Sequence, residues 1–159
     1  FNIKQVKKLN QKSILSHSTK ETEQLAANLA KLLKRGSVVT LEGELGTGKT
    51  SFAKGMAIGL EIEEPITSPT FTIIKEYEGT LPFYHMDTYR LEFSDEDIGF
   101  DEYINGDGIT VIEWAQFIED FLPEELLKVE ITYIDEHSRK FTFTAEGEYY
   151  EKVLEQLFS

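Results

Sequence analysis

Gly43-Glu44-Leu45-Gly46-Thr47-Gly48-Lys49-Thr50 lies between an apolar run, Val38-Val39-Thr40-Leu41, and a stretch of helical character, Ser51-Phe52-Ala53-Lys54-Gly55-Met56-Ala57. The pattern is Gly-x-x-x-x-Gly-Lys-Thr, and the strand–loop–helix setting gives it physical meaning. Glycines let the loop turn tightly, so that backbone N–H groups approach phosphate oxygens. The helix start adds partial positive charge at the same point. Lys49 is placed to reach β- and γ-phosphates, and the Thr50 hydroxyl to bind Mg²⁺. The phosphate cradle is therefore expected to comprise Glu44, Leu45, Gly46, Thr47, Gly48, Lys49, Thr50 and Ser51. A glycine-rich turn that only resembles such a site explains the glycines. It does not explain the Lys-Thr pair with a strand and a helix around it.

The 159 residues suit one domain with a real core. Residues 1–12, with Lys4, Lys7, Lys8 and Lys12, read as an N-terminal arm, and 13–159 as a single ATPase domain of P-loop type. A first residue that is Phe rather than Met reads as a processed or partial chain. Sixteen basic against 29 acidic residues give a formal net charge of −13. Such a surface repels nucleic-acid phosphates, so direct, tight tRNA or DNA binding is not expected; a partner should carry any nucleic acid. The absence of cysteine excludes disulfides, Cys-ligated zinc and thiol catalysis. No apolar run approaches the roughly twenty residues of a membrane span, and no secretory signal is visible. A cytoplasmic protein without a membrane partner is expected.

Along the chain, Ile14-Leu15 reads as a short strand and Ser18-Thr19-Lys20-Glu21 as a capping box. The helix that follows carries Leu25, Leu29, Leu32 and Leu33 and is expected to stop at Gly36. The strand Ser37–Glu42 and a helix to about Leu60 flank the glycine-rich loop. Pro65 and Pro69 exclude helix from the next loop. Phe71–Tyr77 and Phe83–Met86 are strands by their β-branched and aromatic content. So short a connection between them makes the pair antiparallel. A helix is expected from Ser94-Asp95-Glu96-Asp97 to about Ile104, a strand over Ile109–Ile112, and a helix from Trp114 to Phe121. Leu127–Tyr133 and Lys140–Thr144 form a second hairpin, and Tyr150, Val153, Leu154 and Leu157 mark a final amphipathic helix. The fold class is α/β: a three-layer P-loop NTPase-type fold whose central mixed sheet has an antiparallel hairpin after the P-loop helix and helices on both faces.

Hydrolysis needs an acid to hold the metal and a group to place water, and in open α/β sheets these gather at the carboxyl ends of strands. Asp87 follows the Phe83–Met86 strand and Glu113 follows Ile109–Ile112. Either is also what a solvated strand end looks like, but two together are better evidence than one. Asp87 is the preferred Mg²⁺ ligand, direct or through water, and Glu113 the second metal ligand or the water-orienting group. With Lys49 they are the candidate catalytic residues. Thr67-Ser68-Pro69-Thr70 is comparable to a switch loop in which a threonine, here Thr70, completes the metal shell; a Ser/Pro-rich turn is the plain alternative. Arg90 either neutralises phosphate charge from within the chain or forms a surface ion pair. His85 shares a strand face with Asp87 and reads as a packed or hydrogen-bonded histidine rather than a base. His17 and His137 form no constellation. Trp114 packs beside the site or stacks on a base. No Asn-Lys-x-Asp guanine reader occurs.

In order, Gly43–Thr50, Ser68-Pro69-Thr70-Phe71, His85-Met86-Asp87-Thr88-Tyr89-Arg90-Leu91 and Glu113-Trp114-Ala115 resemble the bacterial TsaE (YjeE/YdiB) P-loop ATPases. The resemblance covers nearly everything from Ser16 to the end. It implies a cytoplasmic ATPase, with ATP or ADP and Mg²⁺ as its ligands, needed for threonylcarbamoyladenosine in tRNA. It implies that the protein does not transfer the group itself but binds the TsaD–TsaB pair, whose turnover its hydrolysis serves. It also places Thr19 and Thr22 near the nucleotide's base or ribose. Basal hydrolysis is expected to be slow, since no unambiguous base is present and the partner completes the site. Two other functions compete. A small-molecule kinase would need an arginine-rich lid, whereas Arg35, Arg90 and Arg139 are the only arginines. A nucleotide-binding scaffold would need no hydrolysis.

Overall fold

The computed structural model describes residues 10–43, 48–67, 74–89 and 99–159. Strand β1 (Gln11–Ser16) is longer than the predicted Ile14-Leu15. After it, Ser18 takes an extended backbone and its hydroxyl accepts from the Glu21 N–H at 3.0 Å. That satisfies one of the donors a helix start leaves unpaired. The Glu21 carboxylate reaches back to the N–H of His17, one residue earlier than a capping box places it.

Helix α1 (Thr19–Leu32) ends before Gly36, which corrects the sequence reading. The reason is local competition for backbone groups. The Ser37 hydroxyl donates to the Lys34 carbonyl at 2.7 Å, and the Tyr149 hydroxyl accepts from the Lys34 N–H at 2.9 Å. Lys34 is thereby drawn out of the helix, and Leu33 is already extended (φ −82°, ψ 151°).

The remaining strands are β2 (Val38–Glu42), β3 (Ile74–Glu78), β4 (Pro82–Asp87), β5 (Ile109–Glu113), β6 (Leu126–Tyr133) and β7 (Arg139–Glu146). Among the described residues they form a seven-stranded sheet in the order β1-β7-β6-β2-β5-β4-β3. The central strands β6, β2, β5 and β4 are parallel neighbours. The hairpins β3–β4 and β6–β7 are antiparallel, as their short connections require, and β1 pairs antiparallel with β7.

Helices α2 (Lys49–Gly59) and α4 (Glu148–Leu157) lie with α1 on one face. There Leu29, Phe52, Met56 and Leu154 pack on Val39, Leu41, Val111 and Phe141. Helix α3 (Phe100–Ile104) and the 3₁₀ segment Ala115–Phe121 cover Val38, Met86 and Ile112 on the other. The mixed sheet with helices on both faces is the α/β, P-loop NTPase-type arrangement expected. The predicted helix over Trp114–Phe121 is a 3₁₀ segment interrupted at Ile118 (φ −129°, ψ 32°). The helix expected from Ser94 to about Ile104 is helical, among the described residues, only over Phe100–Ile104, because Gly99 before it is left-handed at φ 84°; residues 94–98 lie outside them. Residues 71–73 of the Phe71–Tyr77 strand lie outside them.

Two packing details fix the start of α2. Phe52 stacks on Phe141 at 5.6 Å, which ties α2 to β7. A Cβ on Gly55 would sit 2.5 Å from the Glu23 carbonyl, and one on Gly59 would sit 2.4 Å from that of Ala27. Successive turns of α2 therefore meet successive turns of α1 at backbone distance. The two helices run in the same direction, and their N-termini emerge side by side.

The hydroxyl of Tyr150 accepts the Val38 N–H at 2.9 Å, where both residues are buried. Burial also pushes the phenol above its ordinary pKa, so it stays neutral. Tyr150→Phe should orphan that N–H at the first residue of β2 and cost about 1–2 kcal/mol. Urea unfolding should show a lower midpoint at unchanged slope. An unmoved midpoint would mean that water takes the vacated position.

Candidate functional site

Gly48 precedes α2 with φ 111° and ψ 19°, a conformation that side-chain-bearing residues rarely adopt. A Cβ there would meet nothing within 4 Å, so the dihedral and not the space demands glycine. Among the described residues no side chain caps the start of α2, and no acidic residue stands in its first turn. The N–H groups and positive end of this 11-residue helix suit an anion. Thr50 is exposed and Ser51 partly so, while Lys49 is buried at 6% exposure.

Lys49 turns toward the strand ends. β5 lies between β2 and β4, and Asp87 and Glu113 are register partners at the carboxyl edge. The structure thus brings the three candidate catalytic residues together. Lys49 Nζ stands 3.8 Å from Glu113 Oε1 and 4.3 Å from the centre of the Trp114 ring. Glu113 Oε2 is 2.6 Å from His85 Nε2, so His85 is the hydrogen-bonded strand histidine expected. Asp87 Oδ1 accepts the Tyr89 N–H at 3.0 Å. Burial, with Glu113 beside it, raises the Asp87 pKa. The Tyr89 N–H, Lys49 and His85 oppose that shift without cancelling it.

Thr88 clamps the two strand ends. Its N–H donates to the Glu113 carbonyl at 3.1 Å, and its hydroxyl lies 3.0 Å from that oxygen and 2.5 Å from the Trp114 carbonyl. Two non-glycine residues among those described take positive φ, Glu61 and Trp114. Glu61 closes α2, its N–H bonded to Ile58 and that of Ile62 to Ala57, a recurrent helix-end arrangement. Trp114 (φ 62°, ψ 40°) follows a strand, where no helix end accounts for it. Its indole packs on Tyr89 at 4.9 Å and lies nearly parallel to Phe117 at 6.1 Å. A bulky left-handed residue held this way is the kind of strain that functional sites store.

Two cavities flank the start of α2. One, of about 260 Å³, is lined by Leu41, Glu42, Gly43, Lys49, Trp114 and Gln116. Burial and the neighbouring Glu130 raise the Glu42 pKa there, against the pull of Lys128. The other, of about 300 Å³, takes Thr19 and Thr22 from α1 and Gly48 and Ser51 from the loop and α2. Among the described residues its remaining wall is His17, Ser18, Glu136, His137 and Arg139. This corrects the reading of His17 and His137 as belonging to no constellation. Pairing of Ser16 with Arg139 folds the β6–β7 turn over the start of α1. No local pattern announces a contact across so much chain. Trp114 lines the first cavity and not the second. Glu44, Leu45, Gly46, Thr47, Thr70 and Arg90 lie outside the described residues.

Among the described residues no group of three or more His, Asp or Glu side chains could by itself hold a metal ion. One or two carboxylates with a threonine hydroxyl is instead the protein share of a Mg²⁺ that takes its other ligands from phosphate and water. No described helix is long and apolar enough to cross a membrane.

A sequence model of the family described as "Threonylcarbamoyl adenosine biosynthesis protein TsaE" matches residues 16–141. The tRNA threonylcarbamoyladenosine biosynthesis protein TsaE of Bacillus subtilis is 51% identical over 138 residues, 86% of this chain and 87% of that one. The protein of the same name from Treponema pallidum is 42% identical over 130 residues, covering 80% and 96%. The crystal structure of Bacillus subtilis YdiB superposes with a TM-score of 0.83 at 44% identity, over 93% of this chain and 94% of that one. On these matches the chain belongs to the TsaE family.

Proposed function

We propose that this chain is a Mg²⁺-dependent ATP-binding and ATP-hydrolysing accessory protein required for threonylcarbamoyladenosine modification of tRNA. In this reading residues 13–159 act as one cytoplasmic ATPase domain that works on a TsaD–TsaB complex and leaves the group transfer to it. One observation carries the ATPase part. An uncapped helix start with a buried lysine faces two register-paired carboxylates at neighbouring strand ends. The pathway rests on relatives named for that biosynthesis. A formal net charge of −13 agrees with a partner that handles the tRNA.

The roles divide along the two cavities. Backbone N–H groups from Gly48 to Ser51 and the Lys49 ammonium hold the phosphates. The cleft beside Thr19 and Thr22 receives base and ribose. Thr50 and Asp87 hold Mg²⁺, which when bound neutralises charge on the phosphate oxygens. Both Glu113 oxygens already face partners, His85 and Lys49, which suits that carboxylate to orienting water rather than to direct metal ligation.

Trp114 is the sole tryptophan, and Lys49 stands over its ring. Phosphates that draw Lys49 away should change the indole fluorescence. Titration with Mg-ATP is expected to give a saturable change that ADP competes away. Phosphate release is expected to be slow alone and faster with the TsaD–TsaB pair. No saturable change up to millimolar nucleotide, or phosphate release indifferent to the pair, would count against the proposal.

A further inference from the structure

His85 is wholly buried two residues before the end of β4, on the α2 side of the sheet with Phe83 and Asp87. Its ring lies 6.2 Å from that of Phe83, and its Nε2 is 2.6 Å from Glu113 Oε2. Among the described residues its Nδ1 has no hydrogen-bond partner. A carboxylate only accepts, so the ring proton belongs on Nε2. A proton on Nδ1 would leave that N–H unpaired in the interior and set two lone pairs against each other at the 2.6 Å contact.

The other oxygen of Glu113 is in a different situation. Oε1 faces Lys49 Nζ at 3.8 Å, which is attraction without a hydrogen bond. One oxygen is fixed by the sheet and the other is held loosely by a residue that a phosphate would recruit. We infer that His85 is the positioning residue of this site. It fixes the plane of the Glu113 carboxylate so that Oε1 alone is presented on the nucleotide side when Lys49 moves to phosphate. His85 does not touch the nucleotide; it acts through Glu113. The inference rests on the ATPase reading given above.

The experiment compares full-length wild type, His85→Phe and His85→Gln. Phenylalanine fills the space without a donor, whereas glutamine keeps an N–H near the position of Nε2. Calorimetric titration should give ATP affinities within about twofold of wild type for both. Turnover should fall about 10- to 100-fold in His85→Phe, the usual cost of removing a supporting partner, and recover in large part in His85→Gln. In nucleotide-free wild type, a long-range ¹H–¹⁵N spectrum should show His85 protonated on Nε2 with a bare Nδ1. A ring protonated on Nδ1 alone overturns the inference whatever the variants do. So does a folded His85→Phe with wild-type turnover, or a His85→Gln no better than His85→Phe. Loss of binding in step with turnover overturns it as well, since that marks a general structural role. If wild type hydrolyses no ATP with or without the TsaD–TsaB pair, the ATPase reading falls and takes the inference with it. Normal wild-type turnover with indifferent variants sinks the inference alone.

Discussion

Asp87→Asn is expected to abolish Mg²⁺-dependent ATP turnover, by about 100-fold or more, while making the nucleotide-free protein more stable. Both effects come from the same carboxyl. Asparagine keeps an oxygen for the Tyr89 N–H but offers a metal no charge, and metal stabilisation of transition-state charge amounts to several kcal/mol. The stability gain follows from the sign of the pKa shift. Burial, and then Glu113, raise the Asp87 pKa above its usual value. The folded protein therefore holds that proton more tightly than the unfolded chain does, and the ionised form is disfavoured in the fold. Stability is lost as pH rises through the carboxylate range toward neutrality. Asparagine does not ionise, so its advantage should be largest near pH 7 and fade as pH falls toward the unfolded value of 3.8. Melting curves at a series of pH values, without Mg²⁺ or nucleotide, test this. A variant less stable than wild type at pH 7 would show that Asp87 is a structural rather than a strained group. A rise with full activity would remove it from the metal site.

Lys49→Ala should reduce ATP affinity about 100-fold or more. A charged hydrogen bond to phosphate contributes about 1.5–3 kcal/mol, and long-range attraction adds to it; 2.8 kcal/mol is about a hundredfold in affinity. The same change should lower the melting temperature of the nucleotide-free protein. Among the described residues Lys49 is the lysine facing Glu113 and the face of Trp114, and it moderates the raised pKa of Asp87. Without it two buried carboxyls meet at adjacent strand ends with less compensation. Calorimetric titration with ATP and thermal melting separate the two consequences. Near-normal affinity would place the phosphates somewhere other than the start of α2.

Most of the architecture was legible because it is written in local chemistry. The Ser18 cap, the left-handed Gly48 before α2 and the described parts of the two hairpins each depend on residues a few positions apart, and each lies where it was read. Asp87 and Glu113 were recognisable because parallel strands direct their carboxyl ends to one edge, whatever the details of the turns. What escaped was settled by distant partners. The end of α1 depends on Tyr149, more than a hundred residues away, which captures the Lys34 N–H. The His17–His137 wall exists only because β1 joins the sheet beside β7. The 3₁₀ segment after Trp114 is short and broken because Trp114 itself is turned to positive φ under Lys49 and Thr88. Helical periodicity contains no trace of that.

The pairing of β1 with β7 has a consequence for biosynthesis. Thr19 and Arg139 face the same cavity, yet about 120 residues separate them in the chain. At the usual pace of about 5–20 residues per second, a ribosome needs roughly 6–24 s to pass from one to the other. Until β7 has left the exit tunnel, the cleft lacks one wall and β1 has no neighbour. The helix start can form early, but the nascent chain should hold nucleotide poorly until β7 has emerged. Nucleotide capture would then report that β7 has joined the sheet, and products that stop before β7 would stay empty.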